Sequence, residues 1–354
     1  MTISVLIPVY KGSQILEAAL ESVLNQTEKP DEVIIGNDTP ADNTQENKKI
    51  AALIDAFEKK AKFPVTSITN KHNLGCQKNF QKITDTASKD IVLYLAHDDI
   101  LSINAVSIVK NVFQNNPKVG FATRPYFWFF DDVQKPIRHV PPPNINQHTL
   151  IPSANQLIKP THTFNITNTI QDIDSAVHAI FGSIGQISGL ALRRKWIQKP
   201  FHIDIFPGHI YPIADIWKQH QGIFIKNYIV AIGTATSQSR TVTGMYDDSP
   251  TEQWIRMFRH HFQDKRYQQI LKSCTKHIAT NYIGLIQIKN YSSMSHVFRE
   301  ICTLMKFRKR NIFELQFWMY SLLAIVIPKK FLRFLTDWYK QNILSITVPE
   351  IRFK

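Results

Sequence analysis

The sequence has few cysteines and lacks the motif of a dinucleotide-binding enzyme. Its three cysteines, Cys76, Cys274 and Cys302, lie far apart and form no Cys-x-x-Cys pair. This spacing indicates neither a disulfide framework nor a zinc site, and it favours a reducing, cytoplasmic setting. The first residues also lack the basic and apolar stretches of a secretory signal. No Gly-x-Gly-x-x-Gly follows the first apolar segment, which disfavours a dehydrogenase.

Acidic residues are scarce in the last part of the chain. Residues 253–354 contain 18 Lys and Arg against 5 Asp and Glu, whereas residues 1–252 contain 24 against 23. The tail therefore carries nearly all of the net charge of +14. A basic segment of this kind attracts a polyanion, either nucleic acid or an anionic membrane surface. The sequence has no helix-turn-helix or RNP-like motif, so we expect an anionic membrane surface and no nucleic acid. A basic nucleic-acid-binding protein is the alternative, and steep salt-dependent binding of nucleic acid by residues 253–354 alone would identify it.

Apolar segments of strand type alternate with helical periodicity in the first part of the chain. We predict strands at 3–8, 32–36, 64–69, 91–96 and 119–122. The predicted helices begin at Gly12-Ser13, with Ser13 as the N-cap, and lie at 45–60, 74–87 and 103–114. This alternation, at about 30-residue spacing, predicts βαβ units, a mainly parallel sheet and helices on both of its faces. Between Arg124 and about Pro160 this pattern ends, and the prolines there exclude long regular elements.

The chain divides into three predicted regions. Residues 1–240 form an α/β domain, residues 241–252 a polar linker, and residues 253–354 a basic, mainly helical tail. In the tail, the apolar run 312–327 has 16 residues, whereas a membrane-spanning helix needs about 20. Its basic flanks and aromatic residues suit the membrane interface, but they equally suit a helix packed on the α/β domain.

Polar residues follow the predicted strands at the edge where such sheets bind ligands. Asp98 and Asp99 come directly after the apolar segment 91–96. Two carboxylates at the end of a buried strand repel each other unless a cation or hydrogen-bond donors neutralise them. A Mg2+ or Mn2+ ion that bridges a diphosphate is one solution, and a solvated loop that caps the next helix is the other. Asp38 lies in a similar turn, where it could accept from a nucleobase or only close the turn.

Six short motifs occur in a fixed order in residues 1–240. They are Pro8-Val9-Tyr10, Leu20–Thr27, Asp31–Asp38, Asn73-Leu74-Gly75 with Asn79, Ala96-His97-Asp98 and Gly189–Arg194. In this order they resemble the motifs of inverting family 2 glycosyltransferases with the GT-A fold. Two motifs depart from the family pattern. Asn37-Asp38-Thr39-Pro40 stands where the family usually has two acids plus Gly-Ser, and Ala96 replaces the first acid of Asp-x-Asp.

The resemblance implies a nucleotide-sugar donor, most readily a UDP-sugar, and a glycan or lipid-linked glycan acceptor. It implies Asp98 as the ligand of Mg2+ or Mn2+. It also implies donor contacts from a larger set of residues: Pro8, Val9, Tyr10, Asp38, Lys71, Asn79, His97, Asp99 and Arg194. By analogy the enzyme acts in surface polysaccharide synthesis, in capsule or lipopolysaccharide, on the inner face of a bacterial membrane.

A carboxylate must take the proton of the acceptor hydroxyl in such a reaction. The resemblance places this base in an acidic segment after the Arg-Arg motif, where Asp215 is the first choice and Asp204 the second. A nucleotidyltransferase with a similar α/β layout is an alternative, and release of pyrophosphate from a nucleoside triphosphate would identify it.

Overall fold

The computed structural model describes residues 1–159, 168–198, 200–202, 204–234 and 244–343. An eight-stranded sheet of order β3-β2-β1-β4-β10-β6-β11-β9 forms its centre, and a second sheet has the order β5-β12-β7-β8. The strands are β1 (Ile3–Val9), β2 (Glu32–Asn37), β3 (Val65–Thr69), β4 (Ile91–Tyr94), β5 (Ile100–Leu101), β6 (Val119–Thr123), β7 (Tyr126–Phe129), β8 (Arg138–Val140), β9 (Thr149–Ile151), β10 (Ala191–Arg193), β11 (Gln221–Phe224) and β12 (Val230–Gly233). In the large sheet only β9 and β10 run antiparallel to their neighbours, which confirms the predicted mainly parallel α/β fold.

Helices cover both faces of the large sheet. They are α1 (Leu16–Leu24), α2 (Thr44–Lys60), α3 (Cys76–Thr86), α4 (Ala105–Asn115), α5 (Ala154–Leu157), α6 (Ile173–Phe181), α7 (Ile210–Gln219), α8 (Pro250–Phe262), α9 (Gln268–Ala279), α10 (Ile283–Tyr291), α11 (Met294–Phe307), α12 (Leu315–Val326) and α13 (Lys329–Asn342). Alternate residues of β1 enter different cores, with Val5 and Ile7 on one face and Leu6 on the other. Both faces of the strand are therefore buried, and its sequence is apolar throughout.

One local prediction was wrong. Ser13 does not cap α1, because its hydroxyl and amide both donate to the Glu46 carboxylate at 2.8 Å, and the helix begins at Leu16. The proline-containing segment after Arg124 holds the three short strands β7, β8 and β9, in agreement with the prediction that its prolines exclude long regular elements. Its prolines lie between these strands, as at Pro141 after β8 and Pro152 after β9, where no ladder hydrogen bond is lost.

The predicted boundary at residue 253 falls inside a helix. Ser249 caps α8, since its hydroxyl accepts from the Glu252 amide at 3.1 Å, and Pro250 occupies the first turn. Phe258 of α8 and Cys274 of α9 lie in the same core as Trp217 of α7. The first two helices of the tail therefore complete the core of the α/β domain, whereas α10, α11 and α12 form a core of their own.

Candidate active site

The turns after β1 and β2 meet at the carboxyl edge of the large sheet. The carbonyl of Val9, the last residue of β1, accepts from the Asp38 amide at 2.9 Å. One turn further out, the Lys11 amide donates to the Thr39 hydroxyl at 3.0 Å. Pro8 and Tyr10 are half-buried beside this junction, and Val9 is buried. The first two polar turns thus form one surface.

The turn after β4 closes on the same surface. The imidazole of His97 is buried against Gly12, where an added Cβ would lie 2.1 Å from its Cδ2 atom. Only glycine at position 12 leaves room for the ring. The three polar turns after β1, β2 and β4 therefore come together, with Asp98 next to the imidazole.

Asp98 is half-buried and its carboxylate has no hydrogen-bond partner among the side chains that the structure describes. Burial raises its pKa above the ordinary value, and nearby His97 partly opposes this rise. The carboxylate also accepts from the Asp98 amide, and a cation would stabilise a desolvated carboxylate of this kind. The described residues contain no cluster of three metal-ligating side chains. One carboxylate can hold Mg2+ together with substrate phosphates, and the position of Asp98 fits this arrangement.

Asp99 points into the protein. Its Oδ1 accepts from the Gly233 amide at 2.8 Å and its Oδ2 accepts from the Ser188 hydroxyl. Burial, and then the charge of Asp98, raise its pKa well above the ordinary value. The Ser188 hydroxyl also accepts from the Ala96 amide at 2.8 Å. Asp99 thus fixes the turn of Asp98 to β12 and to the segment around Ser188. Both of its carboxylate oxygens are used in these contacts, so the predicted contact of Asp99 with the nucleotide-sugar is corrected.

Arg124 contacts the segment around Ser188 on its buried side. The sequence gave no indication of this role. The side chain is fully buried and donates to the carbonyls of Ser183 at 3.1 Å, Gln186 at 3.0 Å and Ser188 at 2.7 Å. Burial lowers its pKa to about 10. Because several carbonyls share one guanidinium, this residue sets the path of residues 183–188 behind Asp99.

Arg124→Met is expected to lower the free energy of unfolding by about 3 kcal/mol, because it leaves buried carbonyls without donors. Urea denaturation followed by circular dichroism measures this loss. Lys118→Met, at the exposed position that precedes β6, is the control and should change stability little. A change below about 1 kcal/mol for Arg124→Met would contradict the anchoring role.

Asp38 is buried and organises the loop before α3. Its Oδ1 accepts from the Leu74 amide at 2.8 Å and from Asn70 Nδ2 at 2.9 Å, and its Oδ2 accepts from the Gly75 amide at 2.9 Å. Only 2% of the residue is exposed. Lys71 is exposed on the loop that this carboxylate holds in place. Asp38 therefore holds the loop before α3 in place. Little of its carboxylate is exposed for contact with a nucleobase.

Asn79 is buried in α3 and joins this helix to β2. Its Nδ2 donates to the Gly36 carbonyl at 2.8 Å, and its Oδ1 accepts from Asn70 at 3.1 Å. Asn79 therefore positions helix α3 against β2. Its amide group is used in these contacts and is not open to the nucleotide-sugar, as the resemblance had implied.

Arg194 lies at the other edge of the sheet. Strand β10 runs antiparallel to β4, with Arg193 opposite Ile91 at the start of β4. The Arg194 Nε donates to the Lys89 carbonyl at 2.9 Å, and its amide donates to the Asp90 carbonyl at 2.9 Å. Asp98 follows the opposite end of β4, so the length of that strand separates the two residues. The prediction of a donor contact from Arg194 is corrected by this placement.

Asp215 lies in the middle of α7. This helix starts near the carboxyl edge, where His209 Nε2 bonds the Ile184 carbonyl at 2.8 Å. It ends near the amino edge, where His220 stacks on Trp196 with ring centroids 3.7 Å apart. The Asp215 carboxylate faces α8, 4.0 Å from His261 Nδ1. It is therefore more than a helical turn away from the edge at which the polar turns meet.

Asp204 lies in the segment that crosses the start of α3. Gln77, in the first turn of α3, donates from Nε2 to the carbonyls of Asp204 at 3.3 Å and Ile205 at 3.2 Å. This places the segment beside the loop that Asp38 holds.

The Asp204 carboxylate is surrounded by polar partners. It accepts from the Tyr211 hydroxyl at 2.8 Å, lies 3.0 Å from Arg256 Nη2 and lies 3.3 Å from His202 Nδ1. The pKa of Tyr211 is raised, mainly by burial and further by its hydrogen bond to Asp204. Arg256 belongs to α8, so the C-terminal helical region contributes to this cluster. Sequence spacing gave no signal for Tyr211 or Arg256.

Comparison with known proteins assigns the α/β part of the chain. Residues 4–174 match the model of the family described as glycosyl transferase family 2. An uncharacterized glycosyltransferase of Haemophilus influenzae is 28% identical over 123 residues, which cover 35% of this chain and 38% of that protein. Abequosyltransferase RfbV of Salmonella typhimurium is 28% identical over 127 residues, covering 35% of this chain and 36% of that protein. The match thus spans little more than a third of the length of these curated relatives.

The fold comparison covers almost the whole chain. The structure of S. aureus TarS 1-349 in complex with UDP-GlcNAc superposes with a TM-score of 0.57 at 12% sequence identity, covering 96% of this chain and 92% of that one. At this identity the likeness concerns the fold alone. Residues 4–174 therefore contain a glycosyl transferase family 2 domain. The mainly parallel sheet and the superposition show that the chain has the GT-A fold.

Proposed function

We propose that this protein transfers a sugar from a nucleotide-sugar donor to an acceptor hydroxyl, with inversion at the anomeric carbon. The observation that carries the proposal is the Asp98 carboxylate, which is desolvated, without a partner side chain among the described residues, and placed where the three polar turns meet. A UDP-sugar is our first choice of donor, because a structure with this fold is described in complex with UDP-GlcNAc.

Asp98 would hold a Mg2+ or Mn2+ ion against the diphosphate of the donor. Such an ion supplies stabilisation of the charge that develops on the leaving nucleoside diphosphate. The chain's own residues position the carboxylate for this task. His97 packs on Gly12 to close the turn, and Asp99 binds Ser188 and the Gly233 amide to fix its other side.

For the catalytic base we propose Asp204, in place of Asp215, which was the first choice from the sequence. A base must lie within hydrogen-bond reach of the acceptor hydroxyl, and that hydroxyl must approach the donor at the carboxyl edge. The segment of Asp204 lies at this edge beside α3, whereas Asp215 lies farther along α7 and faces His261. Arg256 and Tyr211 orient the Asp204 carboxylate.

For the acceptor we propose a glycan or a lipid-linked glycan in surface polysaccharide synthesis, reached from the cytoplasmic side of the membrane. The support is the resemblance in sequence to a protein named as an abequosyltransferase. The basic tail adds the expectation of an anionic membrane partner.

A thermal-shift screen of UDP-, GDP- and dTDP-sugars, each with and without Mn2+, tests the donor class. Binding to the native state alone stabilises it by about 2.7 kcal/mol when the ligand is at 100 times its Kd, so the correct nucleotide should raise the Tm by several degrees. We expect this shift with one nucleotide, and with Mn2+ present. Stabilisation by nucleoside triphosphates with release of pyrophosphate would instead favour a nucleotidyltransferase, and no shift with any nucleotide would contradict the proposal.

A further inference from the structure

The exposed large apolar side chains are concentrated near the end of the described chain. Of the 16 such residues among those described, 12 lie between residues 312 and 343. Single exposed apolar residues are normal on a protein surface, but a dense group of them marks an interaction site. This group therefore requires a partner.

Helix α12 has two apolar sides, of which only one is covered. Phe317 and Ala324 are buried in the core that includes Leu285 of α10. On the other side, Leu315, Trp318, Leu322 and Val326 follow one another at helical spacing and are exposed, at 86%, 42%, 56% and 71%. Their spacing of three or four residues places them in one stripe along the helix.

The turn before α12 is held firmly, so the exposure of its apolar residues is built in. Asn311 is fully buried and donates to the carbonyls of Ala279 at 2.9 Å and Leu304 at 3.0 Å. Glu314 forms an ion pair with Arg308 at 2.6 Å. Phe313, on the same turn, is nevertheless 86% exposed. Such a network fixes the backbone while it turns an aromatic ring to solvent.

Basic residues surround these apolar groups. Residues 306–343 contain eight Lys and Arg against two acids, Glu314 and Asp337. Each acid has a basic partner, Arg308 at 2.6 Å and Lys340 at 3.8 Å. Exposed basic side chains lie on both sides of α12, at the positions Lys309, Arg310, Lys329 and Lys330.

Helix α13 repeats the pattern. Phe331, Phe334 and Trp338 are exposed at helical spacing, and Leu332 is the one residue of this helix with a buried side chain. Arg333 is exposed on the same helix. Aromatic rings next to basic side chains are typical of helices that lie in the interface of an anionic bilayer. No helix among the described residues is long and apolar enough to span a membrane.

We propose that the basic apolar face, formed by the exposed residues of 309–338, docks on an anionic lipid bilayer with its aromatic and aliphatic side chains in the headgroup region. The positive charge of this face favours an anionic bilayer over a second copy of the chain as its binding partner. Two copies would bring two faces of the same positive sign together, whereas an anionic bilayer supplies negative charge and an apolar interior at once. The proposal rests on the proposed function, since a lipid-linked acceptor would lie in such a bilayer.

Co-sedimentation of the full chain with vesicles of phosphatidylglycerol and phosphatidylcholine, compared with phosphatidylcholine alone, tests this docking. We expect strong binding only to the anionic vesicles. Lys309→Gln/Arg310→Gln/Lys330→Gln should weaken it about a hundredfold, since each basic side chain near such a surface contributes about a fivefold factor. Trp318→Gln/Leu322→Gln should weaken it at least tenfold. Ile145→Gln, at a position 76% exposed outside this face, is the matched control and should bind as the wild type does.

Two further readouts separate the possible failures. Each variant is tested for its far-ultraviolet circular dichroism and for nucleotide binding without vesicles, which should equal those of the wild type. If nucleotide binding is intact but anionic vesicles are not bound, the docking proposal fails and the proposed function stands. Sedimentation equilibrium completes the test, because a dimer that Trp318→Gln/Leu322→Gln dissolves would assign the face to a second copy and overturn the proposal.

Discussion

Asp98→Asn is expected to lower kcat/KM for sugar transfer by about a thousandfold. The substitution keeps the size of the side chain but removes the charge that would hold the cation against the donor diphosphate. Loss of one preorganised electrostatic contact to a developing charge costs about 10²- to 10³-fold, and loss of a metal ligand is at the upper end of this range. A continuous assay of nucleoside diphosphate release with saturating Mn2+ measures the effect.

Asp131→Asn is the matched control for this measurement. Asp131 and Asp132 form an acidic pair like Asp98 and Asp99, but both are exposed between β7 and β8. The control should retain full activity. Asp98→Asn should also keep the wild-type free energy of unfolding within about 1 kcal/mol, since no described side chain donates to Asp98. Equal activity of the two variants would contradict the assigned role of Asp98.

Asp204→Asn is expected to lower kcat by 10²- to 10⁴-fold, which is the usual contribution of a general base. The affinity for the nucleotide should remain unchanged, because the carboxylate lies beside the donor site and not within it. Single-turnover transfer together with calorimetric nucleotide binding separates the two quantities.

Asp215→Asn distinguishes the two carboxylates. Its expected activity is within a few-fold of the wild type, since Asp215 faces His261 and lies in the middle of α7. Because Asp204 pairs with the guanidinium of Arg256, thermal unfolding of Asp204→Asn must be measured alongside the rates. An inactive Asp215→Asn with an active Asp204→Asn would restore the first choice from the sequence.

Hydrophobic patterning was sufficient to predict the parallel strands β1, β2, β3, β4 and β6, but not the remaining strands of the two sheets. The apolar segments of β1, β2 and β4 are continuous because both faces of each strand are buried, and this property is visible locally. The N-cap of α1 was not predictable in the same way. Ser13 is a suitable cap by residue type, but Glu46, distant in sequence, binds its hydroxyl and amide. Contacts between distant segments override such local preferences.

The candidate site was predictable where backbone topology decides it. Parallel strands bring their carboxyl ends to one edge, so the turns of Val9, Asp38 and Asp98 could be placed together from the sequence. The direction in which a side chain points within such a turn could not be predicted from the sequence. Neighbouring Asp98 and Asp99 have the same chemistry, yet only Asp99 turns inward, because Ser188 and the Gly233 amide lie behind it.

The remaining errors have the same origin. Arg194 was assigned to the donor site because its motif carries no information about strand direction, and the antiparallel course of β10 takes it to the far edge. Arg124 was missed because its partners are backbone carbonyls of a loop some sixty residues away in sequence. Neither feature leaves a pattern in a single sequence.

Isothermal titration of UDP, in MnCl2 and then in EDTA, tests the central claim most directly when wild type and Asp98→Asn are compared. The wild type should bind UDP at least tenfold more tightly in Mn2+ than in EDTA, and Asp98→Asn should bind it with the same weak affinity in both. A wild type that binds UDP equally well in EDTA, or an Asp98→Asn variant with the full effect of Mn2+, would contradict the claim that this carboxylate joins the cation to the donor.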